Sequence, residues 1–187
     1  MSVTFDRRTQ LVTELAAVVL SLLYTFRYIN QERDCFFFGM AGAALFVVLC
    51  IQRKIYAEAF LQLFYVGFGL YGYLTFDRMV TPPDWGWTPH VLGIVGATAF
   101  MVLVALLLPR YSDTQAPWLD AFTTSFSLWA TWVMVQWIHE NWLYWMVIDA
   151  VAIVLYTRRK LYWGAALFAL YAMMAMDGYF AWKLFVW

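Results

Sequence analysis

QRKIYAE at residues 52–58 and TRRKLYWG at 157–164 set a basic pair, an aliphatic residue and a tyrosine in the same order between apolar runs. Arg53, Lys54, Ile55 and Tyr56 correspond to Arg159, Lys160, Leu161 and Tyr162 at an offset of 106. The same offset holds without gaps elsewhere, pairing Glu14 with Asp120, Ser21 with Ser127, Thr25 with Thr131, Asp34 with Glu140, Tyr65 with Tyr171, Gly72 with Gly178 and Tyr73 with Tyr179. Apolar helices share leucines by chance, but matched acids, hydroxyls, a basic turn and a glycine in one register mark a duplicated unit.

Composition says what the unit is made of. The 187 residues are 64% hydrophobic, 21% aromatic and only 13% charged, against about a quarter charged in soluble domains. Such a chain is an integral membrane protein, built of spans needing about 20 mainly apolar residues each. Net charge is zero, which provides no field for nucleic acid. The opening stretch, MSVTFDRRTQ, leads into an apolar run without a small-residue cleavage pattern, so it reads as a retained first helix. Cys35 and Cys50 fall within one span, about 22 Å apart along a helix, too far for a disulfide.

Apolar runs between charges and turn residues predict seven helices, near 9–29, 35–51, 55–76, 90–109, 117–138, 141–157 and 161–183. The expected architecture is all-α and 3+1+3: one three-helix bundle over 9–76, its repeat over 117–183, and a linking helix at 90–109 that lets the second unit run in the same direction as the first. Parallel repeats of this kind are a transporter plan, with substrate near the midplane between the halves. Eight Lys/Arg fall on the N-terminal side (Arg7, Arg8, Arg53, Lys54, Arg110, Arg158, Arg159, Lys160) and four on the other (Arg27, Arg33, Arg78, Lys183). That excess predicts a cytoplasmic N-terminus and an external C-terminus, and it explains the opening motif as a cytoplasmic turn.

Ionisable groups inside spans are costly and mark functional positions. Here they are Glu14, Glu58, Asp120, Asp149 and Asp177. Glu14-Ser21-Thr25 and Asp120-Thr124-Ser127-Thr131 form equivalent stripes suited to hydrogen bonding between helices. The third span carries Glu58, Gln62, Tyr65, Gly69, Tyr73 and Phe76 on one face, and the sixth carries Asn141, Trp145 and Asp149 at i, i+4 and i+8. On the seventh, Tyr171, Tyr179 and Trp182 share a stripe, with Asp177 well round the helix. Aromatic faces with an acid and an amide suit a small aromatic cation, held by stacking, cation–π attraction and a balancing carboxylate. Asp149, about 12 Å into its helix and without a nearby Lys or Arg, must be protonated, hydrogen-bonded or facing a wet cavity. Nucleophile elbows, zinc motifs and phosphate loops are absent, so neither an enzyme nor a cofactor is expected. His90 and His139 fall at predicted helix ends, where interface residues are commoner than ligands. A purely structural helix bundle is the reading from another class.

ENWLYW at 140–145, with YAEAFLQLFY and GLYGYLTF in the third span, resembles the PnuC family of bacterial vitamin transporters over nearly the whole chain. That family is similar in fold to the SWEET sugar transporters. The resemblance implies facilitated diffusion of an unphosphorylated vitamin across the bacterial inner membrane, trapping by a cytoplasmic vitamin kinase, and a trimeric assembly. Its N-x-x-x-W pattern is present as Asn141 and Trp145. The W-x-x-W of the nicotinamide riboside branch is replaced by Tyr73 and Phe76. Gly69, Asp149 and Asp177 stand where that branch is expected to carry asparagines. Exchange of amides for acids favours thiamine, with nicotinamide riboside the alternative and riboflavin a more distant one. The expected substrate-binding residues are Glu58, Gln62, Tyr65, Tyr73, Phe76, Asn141, Trp145, Asp149, Asp177 and Trp182.

Overall fold

The computed structural model describes residues 6–52, 56–77, 85–111, 116–158 and 162–181, including all their side chains but those of 56–58, 111 and 163. Seven helices follow one another: α1 (Arg7–Ile29), α2 (Cys35–Gln52), α3 (Tyr56–Leu74), α4 (Trp87–Tyr111), α5 (Pro117–Val135), α6 (Asn141–Arg158) and α7 (Tyr162–Phe180). Among the described residues, α1, α2 and α4 are each long and apolar enough to cross a bilayer, while α3 and α7 are apolar over the shorter stretches Ala59–Leu74 and Gly164–Phe180. Acids, amides and hydroxyls dilute α5 and α6.

The helices divide into two compact units, α1–α3 and α4–α7. In the first, α2 packs against both α1 and α3; in the second, α4, α5, α6 and α7 pack each on the next. The helix expected as a linker thus packs with the second unit, through its contact with α5.

The offset read from the sequence reappears in backbone geometry. α2 and α6 are both 18 residues long and start 106 apart; α3 and α7 are both 19 residues long and start 106 apart. The turn between α1 and α2 passes through a left-handed residue, Gln31 at φ 58°, and the turn between α5 and α6 through Trp137 at φ 61°. Gln31 N donates to Tyr28 O at 2.9 Å and Trp137 N to Met134 O at 2.9 Å. Glu32 N reaches back to Arg27 O at 3.0 Å, as Ile138 N does to Val133 O at 3.3 Å. These bonds satisfy the last carbonyls of α1 and α5, in the manner of a left-handed helix cap. A left-handed conformation in non-glycine residues costs about 1–2 kcal/mol, so two copies of it at equivalent positions fit a duplicated turn.

Packing within the units repeats as well. Phe36 of α2 is wholly buried and its ring lies on Gly72 of α3; Trp142, its counterpart 106 residues on, is 6% exposed and lies on Gly178 of α7. A methyl group at Gly178 would stand 2.5 Å from Trp142 Cε2, and one at Gly72 would overlap the Phe36 ring. At both glycines the hairpin of helices closes tightly, at equivalent positions.

Helix ends differ from the expected ones for local reasons. α4 starts at Trp87 rather than 90 because Pro89 falls in the first turn, where its missing N–H forfeits no helical bond. α5 stops at Val135 rather than 138, where the left-handed Trp137 turns the chain, and α7 stops at Phe180, followed by Ala181 at φ 51°. α3 ends at Leu74, leaving Phe76 in the turn beyond it.

Because the aromatic rings have no room to retreat, Gly178→Ala and Gly72→Ala are each expected to destabilise the protein by about 1–3 kcal/mol. Gly67→Ala on α3, where a methyl group meets nothing within 4 Å, should leave stability unchanged or slightly raised. Thermal unfolding in detergent measures all three; equal melting temperatures would show that the glycine contacts are not close-packed.

Candidate functional site

The second unit presents a row of polar atoms on α6. Asn141 is its first residue and 2% exposed. Its Nδ2 donates to Ile138 O at 2.6 Å, which fixes the amide across the turn, while its Oδ1 is buried without a hydrogen-bond partner. One turn on, the Trp145 Nε1–H is likewise buried and unpartnered. A further turn on lies Asp149, 3% exposed. No Lys or Arg occurs anywhere between Arg110 and Arg158, and among the described residues no cation pairs with Asp149. An acceptor, a donor and a carboxylate therefore share one helical face, all of them withdrawn from water and from protein partners. Buried polar atoms are usually satisfied, and the Asn141 oxygen and the Trp145 N–H, with the buried Asp149 carboxylate on the same face, suit a ligand that satisfies them together. On α7, Asp177 is completely buried one residue before Gly178.

In the first unit the face of α3 divides. Gln62 and Tyr65 are half-buried in its middle. Gly69 lies against Met40 of α2. Tyr73 lies tilted against Phe37 at 4.8 Å and has the Arg33 guanidinium 4.4 Å above its ring, with Phe76 5.8 Å from the same group. Tyr73 and Phe76 are thus engaged by α2 and by the turn before it. The Glu58 side chain and Trp182 lie outside the described residues.

The hydroxyl stripes of α1 and α5 differ from expectation. Ser21 donates to Ala17 O at 2.9 Å, Thr25 to Ser21 O at 3.2 Å and Thr131 to Ser127 O at 2.7 Å. These hydroxyls bond the carbonyl four residues back on their own helix, the nearest acceptor available to a serine or threonine in a span, and so need no neighbouring helix.

His90 lies in the first turn of α4, at the helix end where it was expected, but its partners were not foreseen. It is 8% exposed, inside α4, and its Nδ1 shares a 2.9 Å hydrogen bond with the Tyr144 hydroxyl of α6. Its ring stacks on Tyr144 at 6.0 Å and meets Trp85 edge-on at 5.8 Å, and Trp129 of α5 stands against both Trp85 and Tyr144. The partner lies 54 residues away, so periodicity could not reveal it; the excess of Trp and Tyr around these positions was the available signal. Beside this cluster, α4 and α5 enclose a groove of about 370 Å³ lined by Gly93, Gly96, Phe100, Ser125, Trp129 and Trp132. Its walls are almost wholly apolar, which fits a vitamin bearing several hydroxyls poorly.

The comparisons with known proteins fit this arrangement. Residues 11–184 match the family described as nicotinamide mononucleotide transporter. The nicotinamide riboside transporter PnuC of Escherichia coli (strain K12) is 21% identical over 178 residues, covering 79% of this chain and 74% of that protein. The protein of the same name from Shigella flexneri matches equally. In fold, the chain superposes on the crystal structure of the vitamin B3 transporter PnuC with a TM-score of 0.71 at 18% identity, covering 93% of this chain and 81% of that one. A multi-pass membrane protein with seven helices, no strand among its described residues, and a family match along nearly its whole length belongs to the nicotinamide mononucleotide transporter (PnuC) family of transporters.

Proposed function

We propose that the protein carries nicotinamide riboside across the bacterial inner membrane by facilitated diffusion, with Asn141, Trp145 and Asp149 contacting the vitamin. The observation that carries this reading is Asp149, a buried carboxylate with no described cationic partner in the middle of a helix. Nicotinamide riboside is a flat pyridinium cation bearing a ribose. Its ring can stack on Trp145, its charge can face Asp149, and its amide and hydroxyls can meet the vacant Asn141 acceptor and Trp145 donor. The mononucleotide adds a phosphate dianion, which the same carboxylate repels and which no Lys or Arg on this face compensates. The unphosphorylated vitamin is therefore favoured, and a cytoplasmic kinase is the partner that would trap it. The terminal orientation follows the Lys/Arg count, with the N-terminus cytoplasmic, and the assembly is a trimer by resemblance.

The names of the relatives move the reading from thiamine to nicotinamide riboside. Thiamine stays as the second reading because of the acids at 149 and 177: it is also a ring cation, and its aminopyrimidine can bond a carboxylate. In the second unit Asp177, with Trp182, completes the proposed set of contacts, and in the first unit Gln62, Tyr65, Tyr73 and Phe76, with Glu58, are the candidate contacts.

Titration calorimetry of the purified protein with each vitamin separates the two, with binding expected for nicotinamide riboside and at least tenfold weaker binding for thiamine; the reverse order would make thiamine the substrate. In the same assay Asp149→Asn should leave the protein folded and weaken binding of the preferred cation about tenfold, equivalent to about 1.4 kcal/mol. Unchanged affinity in a folded variant would remove Asp149 from the site.

A further inference from the structure

Besides Phe36 and Trp142, the internal repeat picks out a pair of residues that differ in type yet make the same contacts. Arg33 stands in the turn before α2, and its Nη2 donates to the backbone carbonyl of Tyr73 at 3.1 Å while its guanidinium lies 4.4 Å over the Tyr73 ring. His139, 106 residues on, stands in the turn before α6. Its Nε2 lies 3.1 Å from the backbone carbonyl of Tyr179, and its imidazole stacks on the Tyr179 ring at 4.9 Å and 26°. Both side chains do two things at once: they reach a carbonyl at the last turn of the following hairpin helix, a group no further helical N–H would otherwise satisfy, and they cover the tyrosine that bears it. A plain hydrophobic or charged surface position needs neither contact.

We propose that Arg33 and His139 are equivalent positioning residues, each latching the C-terminal end of α3 or α7 to the start of α2 or α6. In each unit the two helices are consecutive in sequence, so the latch adds a second tie to the covalent one. The groups held in place are those already assigned to the site. Asn141 is two residues after His139, Asp177 is two before Tyr179, and Tyr73 and Phe76 are both within reach of Arg33. Loss of a latch lets the end of α3 or α7 fray and spreads these groups over several positions. The cost falls on substrate affinity, because the buried core contacts of the hairpin, Phe36 on Gly72 and Trp142 on Gly178, stay in place. The latch needs a planar N–H donor able to stack on a phenol ring, which arginine and histidine share; that is why two such different residues can occupy equivalent positions.

The test uses the full-length protein with Arg33→Ala, His139→Ala, His139→Gln, His139→Arg and the exchange variant Arg33→His with His139→Arg. Hydrogen exchange followed by mass spectrometry reads the last turns of α3 and α7, and uptake of nicotinamide riboside into proteoliposomes reads KM and maximal rate. The uptake arm rests on the proposed function, whereas the exchange arm does not, so a protein that fails to carry the riboside still tests the latch. His139→Ala is expected to speed exchange at the end of α7 about fivefold or more and to raise KM several-fold with a nearly unchanged maximal rate. Arg33→Ala should do the same at the end of α3. His139→Arg and the exchanged pair should restore both readouts, and His139→Gln, which keeps a donor but not the ring, should restore exchange in part. Unchanged exchange in the alanine variants, or alanine-like behaviour of His139→Arg, would overturn the proposal.

Discussion

The structure depends on the closeness with which an aromatic ring on one helix can sit on a glycine of the next. Phe36 on Gly72 and Trp142 on Gly178 bring α2 onto α3 and α6 onto α7 at a separation that any side chain at the glycine would prevent. In a bilayer this matters more than in water. Lipid tails are as apolar as the ring, so helices gain little from burying apolar surface against one another, and close van der Waals packing has to hold them. Small residue against large ring provides that packing, and Gly72 and Gly178 do so at equivalent positions of the two units.

From that contact the rest of each hairpin follows. The turn before it passes through a left-handed residue, Gln31 or Trp137, and the side chain two residues further on, Arg33 or His139, meets the far end of the hairpin. In the second unit the same geometry places Asn141 at the start of α6 with its amide nitrogen spent on Ile138 O and its oxygen free of protein partners. A turn that caps one helix thus also orients the unpartnered Asn141 oxygen on the next. Trp145 and Asp149 continue that face by helical spacing alone.

Much of this was legible in the sequence. The Tyr-Gly-Tyr and Asp-Gly-Tyr triplets around Gly72 and Gly178, read with the basic turns, set the register of the repeat, and the hairpin helices start and stop on it. The polar face of α6 was legible too, because three chemistry-bearing residues at i, i+4 and i+8 share a side of any helix. What escaped reading depended on partners distant in sequence or on competition within a helix. Arg33 and His139 share no side-chain type, so their equivalence shows only in what they touch. His90 lies at a helix end as expected, but its partner Tyr144 is 54 residues away. The serine and threonine stripes suggested contacts between helices, whereas the carbonyl four residues back was nearer than any neighbour.

On the proposed reading an aromatic cation enters because its charge meets the buried Asp149 carboxylate, which repels an anionic nucleotide. Entry without an energy source should also end when the concentrations on the two sides are equal. Time courses of radiolabelled nicotinamide riboside uptake into proteoliposomes, without any ion gradient, measure this directly. Saturable entry that levels off at equal internal and external concentrations is expected, with no entry of nicotinamide mononucleotide. Uptake no faster than into protein-free liposomes, or equal uptake of the mononucleotide, would contradict it.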